Sequence, residues 1–225
     1  MTDKVMVVIP ALDAAASVGE VVRASLAQLP DVVVVNDGST DATPDEAAAA
    51  GAVVLEHPHN LGKGAALRTG FRYALDRGFD AVITVDADGQ HLPSEISKFL
   101  RAWRETRADL IIGDRSHLFG GMLPRRRNAN MFSAWAISKC AGKVVTDSQS
   151  GFRLYSASLI REVSMGANGF AAESEIIVRA GRLGRTILSI PIELGFVNGL
   201  ATSHYRPLLD TLRIAGVVTR TRLFG

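Results

Sequence analysis

Cysteine is almost missing from this chain: Cys140 stands alone among 225 residues. An internal disulfide is thereby excluded, and a reducing, cytoplasmic setting is expected, with Cys140 a small buried hydrophobe. Long apolar runs are missing too. The opening MTDKVMVVIPALD has too short an apolar stretch for a signal peptide and puts Asp3 where positive charge would be wanted. The tail PLLDTLRIAGVV is broken by Asp210 and Arg213, well short of the ~20 apolar residues of a membrane span. Any membrane contact should therefore be peripheral, on a cytoplasmic face. Net charge is small: 25 Lys and Arg against 23 Asp and Glu give +2, which makes no case for a nucleic-acid partner. The distribution is uneven. Residues 1–112 carry 10 basic and 16 acidic side chains, net −6, whereas residues 113–225 carry 15 and 7, net +8. The two halves face different partners, or one partner with two kinds of charge.

Apolar residues make up 47% of the chain, enough for one full core. Continuous β-branched runs predict strands covered on both faces: VMVVI at 5–9, VVVV at 32–35, AVVL at 52–55, AVITV at 81–85 and LII at 110–112. Helix formers fill 17–29, 44–50, 63–77 and 93–107, with Ser17 and Thr43 as expected N-caps and Gly51 and Gly78 as stops. This alternation predicts an α/β fold with a doubly wound, mostly parallel central sheet flanked by helices. Ligands then bind beyond the carboxyl ends of the strands. Later come expected helices at 128–139 and 173–183, a strand TILSIPI at 186–192, and an amphipathic segment from Pro207.

Two strands end in acidic loops, VVVVNDGSTDAT and VITVDADGQH, and in a parallel sheet both tips reach one edge. NDGS also suits an ordinary turn. DADGQ asks for more, because Asp86, Asp88 and Gln90 offer three oxygen-bearing side chains from one short loop. Oxygen-only ligands suit Mg²⁺ or Mn²⁺, completed by waters and substrate phosphates. HPHNLGKGAALRTGF is not a phosphate-binding P-loop, since His57 and Gly64 stand where Gly and Ser or Thr belong. It reads as a helix start whose amides and Lys63 approach an anion; His57 and His59 read as surface residues. From 115 to 143 the chain has Arg115, Arg125, Arg126, Arg127, Lys139 and Lys143 and no acidic residue. A solvated face is the ordinary explanation, but arginines suited to grip phosphate oxygens favour an anionic partner.

Together these pieces resemble glycosyltransferase family two, with the GT-A fold, and within it the dolichol-phosphate mannosyltransferase-like polyprenyl-phosphate glycosyltransferases. The likeness runs from about Val5 to Arg206 through VVIPALD, VVNDGSTD, NLGKGAALRTGF, VDADGQH, GDRS, RNANMFS and DSQSGFRLYS. It implies one catalytic domain over 1–205, with a donor-binding half at 1–112 and an acceptor-binding half at 113–205, and a separate amphipathic segment at 206–225 that either packs on its own domain or rests on anionic lipid. Pro10, Leu12 and Asp37 would line the nucleoside pocket, with Asp86 and Ala87 beside it. Asp88 and Gln90, assisted by Asp86, would hold Mg²⁺ or Mn²⁺ on the donor diphosphate, with Lys63 and Arg206 nearby. Arg115 would reach that diphosphate or the acceptor phosphate, Arg127 the acceptor phosphate, and Asp147, Ser150 and Arg153 would shape the acceptor side. Asp88, Asp147, Arg127 and Arg153 are the catalytic candidates.

The implied reaction moves a sugar from a nucleotide sugar to a polyprenyl phosphate by metal-assisted in-line displacement with inversion. If the acceptor were a hydroxyl instead, Asp147, Glu173 or Glu175 would have to act as base. A non-catalytic scaffold of the same fold is the other alternative. The chain departs from its relatives twice: Asp13-Ala14 replaces the usual Asn-Glu, and Gly199 stands where eukaryotic-type mannosyltransferases have arginine, leaving Ser203, His204 and Arg206 as substitutes. The donor stays open between GDP-mannose, UDP-glucose and another UDP-sugar.

Overall fold

Seven strands make one sheet: β1 Val5–Ala11, β2 Val32–Asn36, β3 Val53–Glu56, β4 Ala81–Thr84, β5 Leu110–Asp114, β6 Arg153–Ser156 and β7 Ile187–Pro191. Their order is β3-β2-β1-β4-β6-β5-β7. This computed structural model describes residues 3–195 apart from 164, 168 and 170. The segment 206–225, with Arg206, and the residues Ser203 and His204 lie outside the described residues. Helices cover both sheet faces: α1 Val18–Leu26, α2 Thr43–Ala49, α3 Lys63–Asp76, α4 Ile96–Thr106, α5 Pro124–Ala141, α6 Ala157–Glu162 and α7 Ala171–Arg182.

The unbroken apolar runs are explained by where alternate residues go. On β1, Met6 and Val8 join Val33, Val35, Leu67, Phe71 and Ile177 in one core. Val5, Val7 and Ile9 join Val18, Val22, Val34, Ile83, Phe99 and Trp103 in the other. Strand β1 pairs parallel with β2 and β4, β2 with β3, and β5 with β7. The exception is β6, antiparallel to both β4 and β5. Its RLYS sequence has no β-branched run and opens on an arginine, so it shows no strand signal.

Two expected caps are otherwise engaged. The Ser17 hydroxyl donates to the Ala87 carbonyl at 2.7 Å, linking the start of α1 to the acidic loop after β4. Thr43 is the first residue of α2 rather than its cap; its hydroxyl donates to Asp41 and accepts the Ala14 N–H at 2.7 Å. The stops at Gly51 and Gly78 hold, each at positive φ. Expected helix 128–139 extends to Pro124–Ala141, because Pro is favoured in a first helical turn.

Helix α3 crosses β1 so closely that a Cβ on Gly70 would lie 2.5 Å from Val8 Cγ1. In an open helix Gly→Ala gains about 0.5–1 kcal/mol; here overpacking, typically about 1–3 kcal/mol, should win. Gly70→Ala is expected to lower stability and Tm in thermal unfolding. A raised Tm would contradict the close crossing.

Candidate active site

The parallel strands bring three loops to one edge. After β1, half-buried Pro10 and Leu12 lead to Asp13, whose φ of 47° is left-handed. That turn ties the loop to the one after β2. Asp13 N–H donates to Ser39 Oγ at 3.0 Å, and Asp13 Oδ1 accepts the Thr40 N–H at 2.8 Å. Asp37 is 3% exposed. Its carboxylate accepts the Leu61 and Gly62 N–H groups at 2.9 and 2.8 Å, the free amides ahead of α3. This carboxylate therefore braces the turn that leads into α3. His57, expected on the surface, instead has Nδ1 2.7 Å from Asp37 Oδ1 and Nε2 2.8 Å from Thr69 Oγ1. Its neighbour His59 is exposed.

Lys63 is likewise engaged internally: its Nζ lies 2.6 Å from Asp86 Oδ1 and 2.9 Å from Glu173 Oε2. Burial would lower its pKa, but Asp86 and Glu173 push it up. Burial alone would raise Asp86; Lys63, then His91, outweigh this and hold Asp86 well below the usual carboxylate range. His91, which the sequence reading passed over, is buried with Nε2 3.5 Å from Asp86 Oδ2, its ring 5.4 Å from that of Phe152. Gly151 completes the clamp. A Cβ there would lie 2.2 Å from Asp86 Oδ2, and the Gly151 carbonyl accepts the Thr84 hydroxyl at 2.8 Å. The DADGQ and DSQSG segments therefore pack directly on each other.

On the other side Asp147, 1% exposed, takes Arg115 Nε at 2.7 Å and Nη2 at 3.2 Å, a bidentate pair, with backbone N–H groups of Arg115 and Gln149 besides. Arg115 Nη1 has no hydrogen-bond partner among the described residues, and the guanidinium feels the charges of Asp86 and Asp88. Arg153 does not reach open space. Fully buried, it donates from Nε, Nη2 and Nη1 to the carbonyls of Ser150, Ser148 and Glu173 at 2.7, 2.8 and 2.8 Å. It braces the 147–151 loop against α7. Buried Ser150 belongs to the same brace. Half-buried Arg127, in the first turn of α5, makes no side-chain hydrogen bond to a described residue. Glu175 holds the Gly166 and Ala167 N–H groups at 3.0 Å each and Arg179 Nε at 3.0 Å, so it serves that loop.

Counting charges locates the cation demand. Asp86, Asp88, Glu173 and Asp147 face Lys63, Arg115 and Arg153, and the acid with no ion-pair partner among the described residues is Asp88. Burial and then the Asp86 charge raise its pKa. Its Oδ1 accepts the Gln90 N–H at 3.0 Å, while the Gln90 side chain makes no hydrogen bond to a described residue. No cluster of three or more His, Cys, Asp or Glu able to hold a metal occurs among the described residues. Two carboxylates and an amide oxygen fit an Mg²⁺ or Mn²⁺ site whose remaining ligands come from phosphates and water.

Acidic loops at the carboxyl edge of a mostly parallel sheet with helices on both faces are the architecture of a GT-A glycosyltransferase. The chain belongs to glycosyl transferase family 2, whose family model matches residues 6–164. It is 34% identical over 174 residues to undecaprenyl-phosphate mannosyltransferase of Micrococcus luteus, covering 72% of this chain and 70% of that protein. To polyprenol monophosphomannose synthase of Mycolicibacterium smegmatis it is 32% identical over 197 residues, 78% of this chain and 72% of that protein. Among solved structures, glucosyl-3-phosphoglycerate synthase from Mycobacterium tuberculosis with phosphoglyceric acid superposes with TM-score 0.75 at 21% identity, over 97% of this chain and 80% of that one. The same enzyme with Mn²⁺, UDP and glucosyl-3-phosphoglycerate gives 0.70 at 21% identity, over 98% and 80%. These structures establish the shared fold. No helix among the described residues is long and apolar enough to cross a membrane.

Asp147→Asn leaves Arg115 buried without a counter-charge, which should cost about 3–5 kcal/mol at neutral pH. Burial would raise the Asp147 pKa, but Arg115 outweighs it and holds the carboxyl below its ordinary value. The stabilisation is thus present above that ordinary value, about 4, and is lost as pH falls below it. Denaturant unfolding should show the gap between wild type and Asp147→Asn narrowing on acidification through this range. A pH-independent gap would contradict the pairing.

Proposed function

We propose that this protein transfers a hexose from a nucleoside diphosphate sugar to the phosphate of a polyprenyl phosphate, with inversion at the sugar carbon. The observation that carries the reading is the fate of the three candidate bases. Asp147 is held by Arg115, Glu173 by Lys63, and Glu175 by Arg179 and two backbone amides. None is poised to take a proton from a hydroxyl acceptor. A phosphate monoester needs no such base, because its second pKa of about 6 leaves the attacking oxygen ionised at neutral pH. The polyprenyl-phosphate names of the relatives support the same acceptor class.

In this reading residues 1–112 bind the donor and residues 113–205 the acceptor. Pro10, Leu12, Asp37 and Ala87 line the nucleoside pocket; with its oxygens anchored by Leu61, Gly62 and His57, Asp37 is rigidly placed for that task. Asp88 and Gln90, with Asp86 behind them, hold Mg²⁺ or Mn²⁺; the structural neighbours carry either ion with UDP. Such an ion, when bound, neutralises charge on the departing diphosphate. Lys63 and His91 keep Asp86 ionised, and Gly151 leaves its carboxylate room. Arg115 directs its remaining N–H groups at the phosphates, and Arg127 presents the acceptor phosphate from the start of α5.

Asp88→Ala should reduce transfer by about 100-fold or more, measured as label passing from a nucleotide sugar into an organic-extractable product. Near wild-type transfer would contradict the proposal, and product appearing only with soluble glycosides would favour a hydroxyl acceptor. Gly151→Ala pushes on Asp86 from 2.2 Å. It should weaken Mn²⁺-dependent nucleotide binding by about tenfold, roughly 1.4 kcal/mol, in calorimetry, with the fold retained.

A further inference from the structure

Helix α5 is apolar on two opposite sides, whereas a surface helix ordinarily turns a polar side to water. Ser133, Ala134, Ile137 and Ala141 are its buried face, packed toward α7. The close approach has a visible cause: a Cβ on Gly181 of α7 would lie 2.2 Å from the Ala141 carbonyl oxygen. Turned outward are Met131, Phe132 and Trp135, at 56, 60 and 58% exposure, with Leu123 and Val144 exposed at the two ends. Phe132 and Trp135 pack on each other, ring centroids 5.8 Å apart, yet nothing among the described residues covers them.

Helical spacing puts Arg125, Asn128, Phe132, Trp135 and Lys139 in one outward stripe, positions three or four apart. The aromatic pair occupies its centre and a cation lies at each end. Exposed Arg126 and Lys143 add to the charge, and no acidic residue occurs from 115 to 143.

We propose that this face of α5 is a docking surface for an anionic lipid bilayer. Amphipathic aromatics set among Arg and Lys match the headgroup boundary of such a bilayer. Other occupants fit the charge less well. A second copy would bring the same cations against these, and residues 206–225 carry four arginines against one aspartate. This goes beyond the transfer reaction and does not require the acceptor to be a lipid. If the acceptor is one, the helix whose first turn holds Arg127 would lie along the surface from which it is drawn.

The test uses the full chain with vesicles of phosphatidylcholine, with or without phosphatidylglycerol, read by co-sedimentation and tryptophan emission. Of the two tryptophans, Trp103 is buried in the core, so a change on vesicle binding reports Trp135. The expected result is binding to the anionic vesicles, weakened by salt, with a blue shift that Trp135→Phe removes while binding persists. Phe132→Ser combined with Trp135→Ser should reduce binding by about tenfold or more, with thermal unfolding unchanged because both side chains are exposed. Transfer to a short-chain acceptor in detergent should also be unchanged, which separates this proposal from the assignment of the reaction. Three results would overturn it: no binding to anionic vesicles, binding that survives the double substitution, or self-association abolished by that substitution without any vesicle binding.

Discussion

The Lys63 ammonium, lodged between Asp86 and Glu173, is the contact on which the site depends. One cation ties the loop after β4 to the start of α7. Arg153, beneath, binds the carbonyls of Ser148, Ser150 and Glu173, and Arg115 closes on Asp147. Buried charges are costly unless each has its partner and its hydrogen bonds. Here the partners come from segments far apart in the chain, so the lattice forms only when both halves are in place. Pairing this complete leaves one acid, Asp88, over, and places it at the open rim.

That leftover acid connects structure to chemistry. Mutual repulsion and burial make Asp88 a poor carboxylate by itself and a good one beside a cation. The lattice therefore sets the demand for a positive group at the point where a diphosphate would depart. In the proposed reaction Arg115 and Arg127 would meet a second anion. In that reaction the site would hold two negatively charged reactants until they are aligned, and electrostatic positioning of this kind is commonly the largest part of catalysis.

Much of this was legible in the sequence, and the rest was hidden for physical reasons. The runs at β1, β2, β4 and β5 announce themselves because parallel strands buried on both faces must be apolar throughout. The DADGQ loop is legible because chemistry requires oxygens at short spacing. Strand β6 was not, since its Arg153 is buried by carbonyls contributed from elsewhere, and no local pattern encodes that. Ser17, Thr43 and His57 carry the residue types of caps and surface positions, but long-range partners, Ala87, Ala14, Asp37 and Thr69, claim their side chains. His91 and Gly151 stood inside segments already recognised. What hid them was that their importance lies in a neighbour's carboxylate rather than in their own chemistry. The outward aromatics of α5 looked like ordinary helix until their exposure could be seen.

The central claim is that the acidic rim grips a cation-bound nucleoside diphosphate. Crystals soaked with Mn²⁺ and UDP or GDP test it most directly. The account predicts the ion in contact with an Asp88 oxygen and the diphosphate between it and Arg115. An ion bound away from that rim, or a nucleotide seated elsewhere on the sheet, would contradict it.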